Sequence, residues 1–433
     1  LRAKLLSTKS GREKEALKAA THAVALDCGG AELIVLKADL LTETGDVMQA
    51  ESSLEKAIEK YPMDAELRSI IATRRIAEGR IEVAQALLDN TPATIDHPEL
   101  HIVEGRLHLA RADRLRDGTG DTDQILLGSA IKSFEAALEL NRELGVAWLG
   151  LARTQRLMRN LDTAGESLTR ARRLLGETGS ACSIEAAMLA IDNDDIHAAT
   201  RYIDAAEIHG SSEAIAYVRG NIAAKSGDYA RAIAMYTNTL KQNPKHIRAR
   251  LNRISCYLGL NQALEAKEDA DVLLSLAPEL KVAIFARGDA QTRLAEWEGA
   301  KEDLLVVLED APHHYMALTK LAACYLALDR PERAEGPINE ALRLAPDFAE
   351  AWNQRGLLYL AWEKMETALS DFEAAVRADG NHIQAREQAA AIHHKLENVE
   401  QAMAGWRGVL ALDPNHAVAR RRLQQCEQLL STT

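Results

Sequence analysis

The sequence predicts an all-α chain built as a solenoid of two-helix repeats. Three observations carry that expectation: a composition of helix formers poor in aromatics, a spacing of 34 residues between like residues, and Pro and Gly at fixed steps of that spacing. Aromatics make up only 4% of the 433 positions, so large side chains are too few to fill one thick core. Ala, Leu, Glu, Arg and Gln dominate instead, and these lose little side-chain freedom in a helix.

The period is read from Trp352, Gly356, Tyr359, Ala368, Phe372 and Ala375. Stepping back 34 residues gives Leu318, Ala322, Tyr325, Ala334, Ile338 and Ala341, of the same character place by place. Earlier steps reach Gly288, Ala300 and Leu304, then Tyr257 and Ala266, then Gly220, Ala232 and Tyr236. Still earlier lie Ala186, Ala198 and Tyr202, then Trp148, Ala152, Ala164 and Leu168, and one step forward lie Ala390, Ala402, Trp406 and Pro414. Trp352, Gly356 and Tyr359 in one half, with Ala368, Phe372 and Ala375 before a Pro in the other, resemble the tetratricopeptide repeat. The resemblance implies a right-handed superhelical α-solenoid of about 12 antiparallel two-helix units and a C-terminal capping helix, one continuous array. The divergent, Ala- and Arg-rich repeats resemble bacterial arrays.

In this register residues 1–30 hold a partial unit and 31–144 hold units beginning at Ala31, Ala65 and Pro98. Eight regular units fill 145–416, beginning at Gly145, Gly179, Glu213, Ile247, Lys281, Tyr315, Ala349 and Ile383. Residues 417–433 form the cap, whose Arg420, Arg421, Arg422, Gln424, Gln425 and Glu427 are too polar for an internal helix. Within a unit, places 4, 7, 8 and 11 fall on one side of the first helix and mark its buried stripe. Gly or Ala at place 8 and Ala at place 20 let the two helices approach closely, and large residues at places 4, 11 and 24 fill the gaps. Pro62, Pro244, Pro278, Pro312, Pro346 and Pro414 end second helices, with Asp347 and Asn415 placed to cap the helices that follow. Gly45, Gly79 and Gly227 fall at the turn inside the unit.

The third unit carries about 13 extra residues, roughly 113–125. Its run from Asp117 to Asp123 holds several carboxylates, but the spacing is not that of an EF-hand and no Glu closes it, so the expectation is a solvated acidic loop. Cys256, Cys324 and Cys426 share one repeat place and are expected to be buried thiols beyond disulfide reach of one another. Cys28 and Cys182 are isolated, and the histidines of His313-His314 and His393-His394 point about 100° apart on a helix, which suits no metal. No metal or cofactor is expected. Phosphate-loop, dinucleotide, nucleophile-elbow and zinc-protease motifs are missing from the sequence, so a non-catalytic chain is expected. The formal charge of -12 is spread along the length and argues against nucleic acid, and no apolar run approaches the ~20 residues of a membrane span. The chain opens inside a unit, so upstream residues are expected in the full-length protein.

The resemblance implies a protein or peptide partner bearing acidic or carboxylate groups, held in a concave groove lined by places 2, 5, 9, 12 and 13 of the first helices. On this chain those places hold Arg106, Arg153, Arg156, Tyr217, Asn221, Arg248, Ser255, Phe285, Asp289, Arg293, Thr319 and Asn353. Arginine forks pair bidentately with carboxylates and aromatics add rigid apolar area. The carboxylate clamp of co-chaperone relatives is not reproduced, because Tyr217 stands where a Lys is required beside Asn221, and Val282 and Ala286 replace its basic residues. The asparagine ladder of the O-linked N-acetylglucosamine transferase superhelix is reduced to Asn252. The leading expectation is therefore a scaffold or adaptor. The alternatives are the recruiting arm of a larger enzyme and a periplasmic assembly protein of an envelope or exopolysaccharide system, with unpaired cysteines favouring the cytoplasm.

Overall fold

The computed structural model describes residues 12–26, 30–92, 94–119, 123–176, 179–208 and 212–432. Among them all regular structure is α-helical, and it falls into two units, Leu1–Pro244 and Lys245–Thr433. In the first unit the helices are α1 (Glu13–Ala25), α2 (Gly30–Glu43), α3 (Val47–Lys60), α4 (Ala65–Ala77), α5 (Ile81–Asp89), α6 (Pro98–Thr119) and α7 (Gln124–Leu140). They continue with α8 (Gly145–Leu157), α9 (Leu161–Leu175), α10 (Ser180–Asp192), α11 (Ile196–Glu207), α12 (Glu213–Lys225) and α13 (Tyr229–Gln242). The second unit holds α14 (Ile247–Gly259), α15 (Ala263–Leu276), α16 (Lys281–Arg293), α17 (Trp297–Asp310), α18 (Tyr315–Ala327) and α19 (Pro331–Leu344). It ends with α20 (Ala349–Ala361), α21 (Met365–Ala378), α22 (Ile383–Lys395), α23 (Val399–Leu412) and α24 (Ala417–Thr432). Within each unit consecutive helices pack pairwise and each pair packs on the next, the arrangement of an α-solenoid.

Outside the repeat that begins at Pro98, the turn inside each full repeat is built the same way whether or not it holds glycine. Gly45, Gly79 and Gly227 take positive φ, as their places suggested, but so do Arg159, Asp194, Asn261, Ala295, Asp329, Glu363 and Glu397, with φ between 57 and 65°. The residue after each donates its N–H to the carbonyl five residues back, as from Glu296 to Gln291 at 2.9 Å and from Lys364 to Tyr359 at 2.8 Å. This is a Schellman closure, which satisfies carbonyls that the helix end would otherwise orphan. The closure outweighs the steric penalty at the non-glycine places.

Core packing follows from the small residue at place 8. A β-carbon built on Gly356 would lie 2.6 Å from Cε1 of Phe372, and one on Gly220 would lie 2.4 Å from Cε1 of Tyr236. Phe134 sits between Gly105 and Gly150, which would meet its ring at 2.7 and 2.4 Å. The ring at place 24 thus fills the volume that glycine leaves, and Phe134, Tyr236 and Phe372 are fully buried.

Helix starts differ from expectation. Neither Asp347 nor Asn415 caps a helix; the position before the helix is taken by histidine in three repeats of the second unit and before the C-terminal cap. His246, His314 and His382 accept an N–H through Nδ1 from Ala249, Ala317 and Ala385 at 3.1 Å, and His416 accepts from Ala419 at 3.3 Å. An unprotonated ring nitrogen does there what an Asp or Asn oxygen does elsewhere. Asp64, for example, accepts from Leu67 at 2.9 Å.

The acidic loop expected at 113–125 is also corrected. Its residues extend α6 through Thr119 and begin α7 at Gln124, which leaves only a short connection whose residues 120–122 lie outside the described set. Ion pairs hold the extension: Arg114 to Glu82 at 2.6 Å, and Asp113 to Arg116 and Arg153, both at 2.7 Å. Asp123 is occupied as the cap of α7, accepting from Ile125 and Leu126. Cys28 and nearly half of the partial first unit, residues 1–11 and 27–29, also fall outside the described residues.

Candidate functional site

Within each unit first helices also pack on one another. α6 meets α8, α8 meets α10 and α10 meets α12; in the second unit α14 meets α16, α16 meets α18 and α18 meets α20. The stripe expected to receive a partner lies along this layer, and the two units treat it differently.

In the first unit, Arg106 on α6 is half-buried and makes no hydrogen bond or ion pair among the described residues. Burial lowers its guanidinium pKa below the ordinary value, with Glu99 opposing the shift. Arg153 on α8 is exposed and reaches Asp113. Arg156 is no surface residue: it is 8% exposed, with Nε 2.5 Å from Glu185 and Nη1 3.0 Å from Asp192 of α10. Both carboxylates hold its charge, which raises its pKa against the burial that opposes it. Arg156 is therefore a bolt between repeats. Tyr217 is half-buried against Tyr236 at 6.1 Å, and Asn221 accepts the Tyr236 hydroxyl at 2.8 Å.

In the second unit the stripe is largely closed by neighbouring repeats. Asp289 is buried and takes Lys320 at 2.7 Å and Arg293 at 3.2 Å. Arg293 further donates to the Leu258 carbonyl at 2.8 Å. Thr319 is 1% exposed and donates its hydroxyl to Tyr315 O, and Asn353 is 0% exposed and donates to Gln384 at 3.4 Å. Phe285 packs its ring 4.7 Å from that of His314, Arg248 is half-buried, and Ser255 is exposed with its hydroxyl turned back to Leu251 O. Asp289 and Asn353, like Arg156, bond residues of the neighbouring repeat, while Thr319 is buried with its hydroxyl turned back on its own helix. Asn353 at place 5 and Asp289 at place 9 drop into the seam with the next first helix, where a helical wheel of one repeat shows only solvent.

Two periodic devices escaped the sequence reading. Arg253, Arg287 and Arg355 at place 7 each form two hydrogen bonds, at 2.7–2.9 Å, to the carboxylate sixteen residues on, Asp269, Asp303 and Asp371 at place 23. These clasps join the two helices of a repeat, and the guanidinium of Arg355 also stacks 4.5 Å over Trp352. In the repeat between them, Leu321 and Pro337 replace both partners together, so that no charge is left alone. The matched spacing of Arg and Asp was the available signal. At place 4, Arg68, Trp148, Trp352, Arg386 and Arg420 each donate to a carbonyl six residues upstream at 2.7–3.0 Å, tying the turn to its helix.

Cys182, Cys256, Cys324 and Cys426 are buried free thiols, and burial pushes Cys256 and Cys324 up to about 11. Among the described residues no group of three His, Cys, Asp or Glu side chains is placed to hold a metal ion, and no helix is long and apolar enough to cross a membrane.

Profiles of the tetratricopeptide repeat match residues 223–279, 285–347 and 349–382. The chain is 33% identical over 82 residues to Hsp70-Hsp90 organizing protein 2 of Arabidopsis thaliana and 32% identical over 82 residues to Hsp70-Hsp90 organizing protein 1 of Glycine max. Each match covers 19% of this chain and 14% of the relative. Among solved structures, a tetratricopeptide repeat protein from Parabacteroides merdae matches 58% of this chain and 100% of its own at a TM-score of 0.50 and 21% identity. The Cut9-Hcn1 structure matches 96% of this chain and 93% of its own at 0.53 and 13% identity, a likeness of fold.

Proposed function

Because this chain belongs to the tetratricopeptide-repeat proteins, a family of protein-interaction scaffolds, we propose that it holds an extended protein segment along the first helices of its first unit. The observation that carries the reading is the contrast between the units. Arg106 and Arg153 on α6 and α8 present guanidinium groups at the stripe, Arg106 without a hydrogen bond or ion pair among the described residues, whereas Asp289 and Asn353 are spent on repeat-to-repeat contacts and Thr319 on its own helix. A guanidinium whose loss of hydration is only partly offset by Glu99 favours an incoming carboxylate, so the segment carries acidic groups.

The relatives named as Hsp70-Hsp90 organizing proteins support a protein partner. Their partners are not carried over, since Tyr217 and Asn221 are tied to Tyr236 and do not form a lysine-bearing clamp. The chain acts without chemistry of its own. Whether it works as a free adaptor or as the recruiting arm of a longer enzyme, the same face is used.

The test is charge reversal of Arg106 and Arg153 to Glu, with Arg156 left intact because its reversal would break a buried network. The partners captured from the native source should be lost while helix content is kept. An unchanged set of partners would refute the assignment of this face.

A further inference from the structure

The clasp between places 7 and 23 is missing from α8 and α9, where Leu151 and Ser167 stand at the places that Arg355 and Asp371 hold in α20 and α21. Both replacements are shorter. Ser167 turns its hydroxyl to Gln155 at 2.8 Å, and a crevice of about 740 Å³ opens among α7, α8 and α9. Because α7 and α9 each pack on α8, the crevice runs between these two second helices.

Trp148 in this crevice differs from its counterpart in α20. There the ring of Trp352 is covered by Arg355 at 4.5 Å, and that guanidinium is clasped by Asp371. Here Trp148 is covered at 4.6 Å by the exposed Arg170 of α9, which makes no ion pair among the described residues. A stacked guanidinium keeps its in-plane donors for a carboxylate. On the facing side the sign reverses: α7 contributes Glu135 and Glu139, one turn apart, where α9 contributes Arg170 and Arg173. The 34-residue step sets Glu139 level with Arg173 and Glu135 one residue off Arg170, yet none of the four makes an ion pair among the described residues. Glu166, earlier on α9, and Arg142 and Glu143, just past α7, line the crevice as well.

We propose that this crevice binds an extended peptide segment in which basic and acidic residues alternate, with basic side chains on the α7 side and acidic ones on the α9 side. Residues of an extended chain point alternately to opposite sides, and two on the same side lie about 6.7 Å apart. Glu135 and Glu139 are separated by about 6 Å along their helix, so successive basic residues meet successive carboxylates. A segment of one sign would satisfy one wall and be opposed by the other. The volume is that of a site for a few residues of chain. These charged groups stand on second helices, so the site is separate from the stripe of first helices proposed above.

Calorimetric titration of the full chain with two blocked six-residue peptides of equal composition and zero net charge tests it: one alternates Lys and Glu, the other carries three Lys followed by three Glu. The alternating peptide is expected to bind about tenfold more tightly than the block peptide, the difference of one charge-assisted hydrogen bond. Arg170→Gln, and separately Glu135→Gln with Glu139→Gln, should each weaken it by about the same factor. Leu151→Arg with Ser167→Asp installs the clasp in the crevice and should abolish binding with helix content kept. Arg106→Glu with Arg153→Glu should leave binding unchanged. No binding of the alternating peptide, equal binding of the two peptides, binding that survives the Arg170 or the paired Glu variants, or loss of binding in Arg106→Glu with Arg153→Glu overturns the proposal.

Discussion

Replacing Gly356 with Ala probes the packing rule at one of its close approaches. The new β-carbon would lie 2.6 Å from Cε1 and 2.8 Å from Cδ1 and Cζ of Phe372, a ring that is fully buried. Overpacking of this kind costs roughly 1–3 kcal/mol. Against it, alanine is about 1 kcal/mol better than glycine in a helix interior. The net expectation is a loss of roughly 0–2 kcal/mol where propensity alone predicts a gain of about 1. The control is Gly336→Ala in α19, where the added carbon meets nothing within 4 Å. It should stabilise by up to about 1 kcal/mol. Urea denaturation followed by circular dichroism, with hydrogen exchange of α20 and α21 to localise the effect, compares the two. Shortening the ring in Gly356→Ala with Phe372→Leu should recover part of the loss. If Gly356→Ala were as stabilising as Gly336→Ala, the small residue at place 8 would not be set by the ring at place 24.

Three further outcomes follow from the same geometry. Ala295 holds φ at 59°, so Ala295→Gly should raise stability by about 0.5–1 kcal/mol despite the usual helix penalty of glycine, seen as a higher denaturation midpoint. In the clasp of Arg287 and Asp303, Arg287→Leu alone leaves a nearly buried carboxylate uncompensated. That single change should cost more than Arg287→Leu with Asp303→Leu, by roughly 1–3 kcal/mol in a double-mutant cycle. Burial pushes the thiols of Cys324 and Cys256 up to about 11, so alkylation at pH 8 should wait on unfolding, with mass spectrometry showing label only after denaturant is added.

The helix starts were legible because a period is insensitive to the identity of any one residue. Ala65, Pro98, Gly145, Glu213, Ile247, Lys281, Tyr315, Ala349 and Ile383 open helices at the places the 34-residue step marks, and Gly30 and Ser180 lie one residue from it. Close pairs such as Gly220 with Tyr236 were legible for the same reason, since both belong to one repeat. The candidate face was less so, because its fate is decided by the next repeat. Asp289 is buried by Lys320 and Asn353 by Gln384, and Arg156 is drawn inward by Glu185 and Asp192, all about one period away. A wheel drawn on one helix gives the direction of a side chain and omits what meets it there. The acidic run near Asp117 misled by composition: Gly118 lies in a helix whose side chains are pinned by Glu82, Gln85 and Arg153.

Hydrogen–deuterium exchange of the chain alone and with a captured partner tests most directly that a protein is held along the first helices. Protection concentrated in α6, α8, α10 and α12, with the alternating α7, α9 and α11 unchanged, is the result expected. Protection confined to the second helices, or spread evenly over both, would contradict it.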